Sequence, residues 1–97
     1  MTELRVRPEA ELDVFEASLW YEQERDGLGA VFLQTLRRVL ARIEASPLQF
    51  PLVTTDVRRA VLPRFPFGVF FFVDADAVVV IAVMHLHRRP GSWAPRR

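Results

Sequence analysis

Two histidines, His85 and His87, stand in a short run with Arg88 and Arg89, and Pro90 and Trp93 follow closely. This is the densest cluster of reactive and charged side chains in the chain. Arginine presents a planar fork of donors that matches phosphate or carboxylate, and histidine exchanges protons near neutral pH. The run therefore reads as a site for an anionic partner. Read for solubility alone, it is the solvated end of a strand. Joined by Arg58 and Arg59, the same histidines and Arg88 hold the groups that metal-free RNA cleavage requires. Those are a base for the 2′-hydroxyl, a cation for the phosphorane and an acid for the leaving oxygen. Nothing in the sequence fixes that geometry, so an enzymatic role stays open beside simple binding of a partner's acidic segment.

Other chemistries lack parts. Two histidines at i and i+2 fall short of the three or four ligands that zinc needs, and there is no cysteine, so neither a metal nor another cofactor is expected. Ser18, Ser46 and Ser92 sit in no G-x-S-x-G elbow. Gly27 and Gly29 are not followed by the lysine, serine or threonine of a phosphate-cradling loop.

The charge is unevenly spread. Thirteen arginines, no lysine and 12 acids leave a formal charge of +1 over 97 residues, which excludes a uniformly basic nucleic-acid binder. Residues 1–48 carry a net −3 and residues 49–97 a net +4. From His85 onward there are four arginines and no acid. A hydrophobic content of 51% is far from that of a disordered chain. The one stretch that resembles a membrane span, residues 65–86, holds Asp74 and Asp76 at its middle. Each aspartate costs about 2.5–3.5 kcal/mol at a helix centre, so strands joined by a turn fit better. With no signal-like apolar run at the N-terminus, a cytoplasmic protein that meets no membrane is expected.

The elements that must position these residues follow from spacing. Residues 2–7 alternate polar and apolar up to Pro8, which predicts a strand and then the first turn of a helix. Leu12, Phe15 and Leu19 give that helix an apolar stripe, and Gly27 is expected as its left-handed C-cap with Arg25 in the last turn. Phe32, Leu36, Val39, Leu40 and Ile43 mark a second helix that stops at Ser46-Pro47. Trp20, Tyr21, Phe65 and Phe67 are expected to pack between helices and sheet. Strands are predicted over residues 57–62, 67–73 and 77–87, the last two joined by a turn at Asp74-Ala75-Asp76.

The fold class is therefore α+β: a two-layer sandwich of an N-terminal strand, an antiparallel helix hairpin and a three-stranded antiparallel meander. It forms a single domain over residues 1–97, with residues 90–97 as a flexible basic tail. Strict alternation places His85 and His87 on one face with Val79, Ile81 and Val83, and Arg88 on the other with Met84 and Leu86. Arg58 and Arg59 face opposite sides. One face of the sheet covers the helices and the other is left free to bind.

The order of residues also resembles a known family. Trp20-Tyr21-Glu22, Gly27-Leu28-Gly29 and Phe32, then Ile43, Pro47, Phe50-Pro51, Arg58-Arg59, Phe65-Pro66-Phe67, Ala82-Val83-Met84-His85, Arg88, Pro90 and Trp93 are similar to the RelE/ParE toxins of type II toxin–antitoxin modules. The resemblance spans nearly the whole chain. It implies the two-layer fold, a hetero-oligomer with a cognate antitoxin, and a role in plasmid stabilisation or growth arrest. RelE-like members cleave mRNA on the ribosome, whereas ParE-like members inhibit DNA gyrase. This chain has no lysine, its only tyrosine is Tyr21, and Phe67, Phe71 and Phe72 stand where many relatives carry tyrosine. Phenylalanine neither donates nor accepts a proton, which thins the acid–base set of a nuclease. The His85-x-x-Arg88 and Trp93 pattern is closer to the ParE side. The surface expected to meet the antitoxin or target is Arg58, Arg59, His85, His87, Arg88, Arg89 and Trp93. The antitoxin is expected to bring an acidic, partly disordered segment to it.

Overall fold

The structure, a computed structural model, describes residues 3–97. Strand β1 (Glu3–Val6) leads into helix α1 (Pro8–Glu24), helix α2 (Leu28–Ala45) and a short 3₁₀ turn at Pro47–Gln49. Strands β2 (Arg58–Val61), β3 (Phe67–Asp74) and β4 (Ala77–His85) follow, and a second 3₁₀ turn spans Ala94–Arg96. Thr2, where the predicted first strand begins, lies outside the described residues. The sheet runs β1-β4-β3-β2, with β1 parallel to β4 and the meander antiparallel. The α+β order of one strand, a helix hairpin and three more strands is the one the spacing predicts. No helix among the described residues is long and apolar enough to cross a membrane.

Helix α2 buries the expected stripe, with Phe32, Leu36, Val39 and Ile43 in the core and Leu40 packed beside it. Helix α1 does not. Leu12, Phe15 and Leu19 are 55%, 62% and 47% exposed, and Trp20 is 56% exposed. The face turned inward carries Ala10 and Ala17, with Val14 and Tyr21 at its margin. The physical reason is close approach. Helix α1 lies directly against β4, and alanine leaves room for the two backbones where leucine would hold them apart.

Gly27 is left-handed, at φ 86°, as expected, but it opens α2 rather than closing α1. The first helix ends one step earlier, on extended backbone at Arg25. Glu22 explains the corner: its carboxylate accepts the Gly27 N–H at 2.9 Å and the Gly29 N–H at 3.0 Å, capping the free donors of α2. A Cβ on Gly29 would lie 2.6 Å from the Ser18 carbonyl oxygen, so only glycine lets the two helices meet there.

Strand β4 carries an irregularity that alternation from sequence does not reveal. Phe70 pairs with Ala82 but Phe71 pairs with Val80, so Ile81 is an extra residue that opposes no partner on β3. Before this bulge Val78 and Val80 face the helices; after it Val83 does. Val79, Ile81, Ala82 and Met84 all face the opposite side. His85 thus shares the helix side with Val83, while Val79 and Ile81, its expected companions, lie on the other. The strand also stops at His85, so His87 belongs to the following turn rather than to the strand.

The opposite face is covered rather than free. Trp93 is 8% exposed and stacks on Phe70, with ring centroids 5.4 Å apart. The Arg97 guanidinium lies over the Phe72 ring at 3.6 Å and pairs with Asp56 at 2.6 Å. Residues 90–97, expected as a loose tail, pack against the sheet because the apolar face that the bulge widens needs a cover.

This tail also closes an open strand edge. Among the described residues, the β1 side of β4 has no strand partner beyond Val80, because the chain has turned into α1 at Pro8. Asp13 of α1 accepts the Val83 N–H there at 3.0 Å, and Arg96 donates to the Ile81 carbonyl at 3.2 Å. The two side chains join in a forked pair, with Nη1 to Oδ2 at 2.5 Å and Nη2 to Oδ1 at 3.2 Å. Arg7 donates to the Arg96 carbonyl.

Candidate functional site

Arg59, His85, Arg88, Arg89 and Trp93 meet around one cleft of about 210 Å³, which Met84 also lines. Each arrives from a different constraint. Arg59 points to the tail side of β2, the face that also buries Val57, while Ala60 and Leu62 face the helices. Its stem crosses Gly68: a Cβ there would sit 3.2 Å from both Cγ and Cδ of Arg59. The Arg59 Nε is buried and has no hydrogen-bond partner among the described residues. None of Arg59, Arg88 and Arg89 forms an ion pair among those residues. A buried donor left unmade costs about 1–3 kcal/mol, more when charged, and an incoming anion would relieve that cost.

His85 ends β4 on the helix side, where its ring meets Phe67 edge-on at 5.3 Å and the His87 ring at 5.0 Å. The His87 backbone N–H donates to His85 Nδ1 at 3.1 Å. That contact engages Nδ1 and leaves Nε2 as the ring nitrogen without a partner among the described residues. His85 also borders two further hollows. One of about 240 Å³ is shared with Asp13, Glu16, Phe67 and Arg88. The other, of about 450 Å³, is mainly apolar and is lined by Trp20, Tyr21, Pro66 and Phe67. His85 is thus the junction of three concavities.

Two expected residues play other parts. Arg58 lies on the helix side of β2 and donates to the Phe50 carbonyl at 2.7 Å and to the Leu48 carbonyl at 3.4 Å, tying down the connection before the strand. Trp93 is the buried wall of the cleft and presents little surface to a partner. Asp13, Glu16 and Tyr21 were not among the expected site residues. Their signal was the spacing of Asp13, Ala17 and Tyr21, four apart along one helix stripe that ends beside β4.

Tyr21 stacks on Phe32 at 5.4 Å and meets Phe65 edge-on at 4.9 Å. Burial raises its phenol above the ordinary value near 10. Because the folded protein holds the phenolic proton more tightly than the unfolded chain, this contribution to stability is present below pH 10 and is lost as pH rises through the folded value. As Tyr21 is the only tyrosine, tyrosinate absorbance reports it alone. The native protein is expected to titrate at higher pH than the same protein in denaturant; coincident curves would contradict the burial.

No protein-family model matches this chain, and no curated protein matches it. Among solved structures, it is similar to a chain of the "Chromosomal ParDE TA system from P. aeruginosa", at 18% identity and a TM-score of 0.67. The likeness covers 88% of this chain and 96% of that one. At that identity it is the fold that is shared. The strand, helix hairpin and meander that carry the cleft are thus the fold of that chain.

Proposed function

We propose that the chain is the toxin of a type II toxin–antitoxin module, held silent in the cytoplasm by a cognate antitoxin, and that the free protein arrests growth by binding DNA gyrase. The observation that carries the toxin–antitoxin reading is the fold likeness over nearly the full length of both chains. The arginine cleft supports the partner's chemistry. Arg59, Arg88, Arg89 and His85 offer donors without carboxylate partners, which suits an acidic segment that orders on binding.

This chain has no lysine, and Phe67, Phe71 and Phe72 supply no proton where many relatives carry tyrosine; that thinner acid–base set favours binding over RNA cleavage. The ribosome-dependent nuclease stands as the second reading because His85 shares its cleft with Arg59 and Arg88. An inert binding module of the same fold is the third.

Inducible expression without an antitoxin separates the three. Gyrase binding predicts growth arrest and loss of negative supercoiling in plasmids from the arrested cells, with mRNA intact. Cleaved mRNA with unchanged supercoiling would replace gyrase by the ribosome. Normal growth of cells holding soluble, folded protein would overturn the toxin reading.

A further inference from the structure

Among the described residues, no element covers the outer face of α1. At about 100° per residue, Leu12, Phe15 and Leu19 fall within one narrow sector on the side turned away from the sheet, opposite Ala10 and Ala17. Glu9 and Glu16 border the stripe on one flank, and Glu11 and Glu22 on the other. Glu22 is occupied in capping α2, but Glu9, Glu11 and Glu16 form no ion pair among the described residues. Three large apolar side chains about half exposed or more, in one line and framed by free acids, have the form of a docking face.

We propose that this face receives an amphipathic helix of a partner protein, one whose apolar stripe is flanked by arginine or lysine. The charge pattern selects this occupant. A second copy laid antiparallel on the first would set glutamate against glutamate along both flanks, and like charges there oppose pairing. An anionic bilayer surface meets the same repulsion. A basic-flanked helix instead buries the Leu12, Phe15 and Leu19 stripe and gains charge complementarity on each side, in the helix-in-groove manner. The face lies on the helical layer and is acidic, whereas the arginine cleft lies at the strand end and is basic, so the molecule presents two docking surfaces of opposite sign. The proposal does not rest on the toxin reading.

Two synthetic helical peptides test it, alike in a leucine stripe at i, i+3 and i+7 and differing only in flanks of arginine or glutamate. Titrated against the full chain by calorimetry, the arginine peptide should bind at least roughly tenfold tighter, and its affinity should fall with added salt. The double variant Phe15→Ser with Leu19→Ser should weaken that binding by roughly tenfold or more while leaving the circular dichroism spectrum unchanged, because both side chains face water. The pair Glu11→Lys with Glu16→Lys should reverse the preference between the peptides, which decides the matter even if the serine variant fails to fold. The proposal is overturned by no binding of the arginine peptide, by equal binding of both peptides, or by a preference that the lysine variant leaves unchanged. It is likewise overturned if the free chain dimerises through this face, or if the face selects anionic vesicles over the peptide.

Discussion

Replacing Asp13 by alanine should lower the unfolding free energy by about 3 kcal/mol, at the lower end of what breaking a buried ion pair costs. One carboxylate does two jobs. It neutralises Arg96, whose side chain is 22% exposed, and it accepts the Val83 N–H at the edge of β4. Its removal leaves a partly buried guanidinium and an unpaired amide together, each with its own desolvation penalty. Asp13→Asn keeps an acceptor for the amide while losing the charge, so it should lie between alanine and the unaltered protein. Denaturant unfolding should show a lower midpoint at an unchanged slope. Asp13→Ala combined with Arg96→Ala should cost clearly less than the sum of the two single changes. Additive losses, or a loss below about 1 kcal/mol for alanine, would show that the pair does not hold this edge.

Trp93→Ala is expected to be comparably damaging, at about 3–5 kcal/mol, the range for removing a large buried aromatic. The indole stacks on Phe70 and joins Met84, Phe72 and Ile81 on the tail face. Trp93→Phe should retain the stack and most of the stability. Fluorescence provides a second readout. Of the two tryptophans, Trp20 is exposed and Trp93 buried, so the alanine variant should emit at the longer wavelength of a wetted indole even below its melting point. An unchanged melting temperature would mean that the tail contributes nothing to the sheet.

The sequence made some of this legible and hid the rest for identifiable reasons. The order of elements was plain because hydrophobic period switches from near four in α2 to near two after Val57, with Pro8, Pro47, Pro63 and Pro66 marking the breaks. The buried face of α1 was not, because alanine scores weakly as apolar while leucine and phenylalanine score strongly. Close packing wanted the small residues, Ala10 and Ala17. The bulge at Ile81 was invisible because β4 is apolar on both faces, and a uniformly apolar run records no phase. That one residue moved His85 to the helix side. Arg59, Arg88 and Arg89 line a cleft beside it, whereas Arg58 is turned away by the even–odd rule of β2. The tail was misread because arginine and proline suggest solvent, yet Arg96 and Arg97 each have a specific carboxylate, on Asp13 and Asp56.

Burial of β4 on both sides has a cost of another kind. The run Ala77–Met84 has no charge, no proline and no glycine, and it is rich in valine and isoleucine, the composition that templates cross-β stacking once exposed. Only Asp74 and Asp76 before it and the His85–Arg89 run after it act as gatekeepers. Whatever lifts either the helix layer or the Trp93 segment therefore uncovers an aggregation nucleus. For this molecule, a local opening of a few residues and the loss of soluble protein are closely linked events.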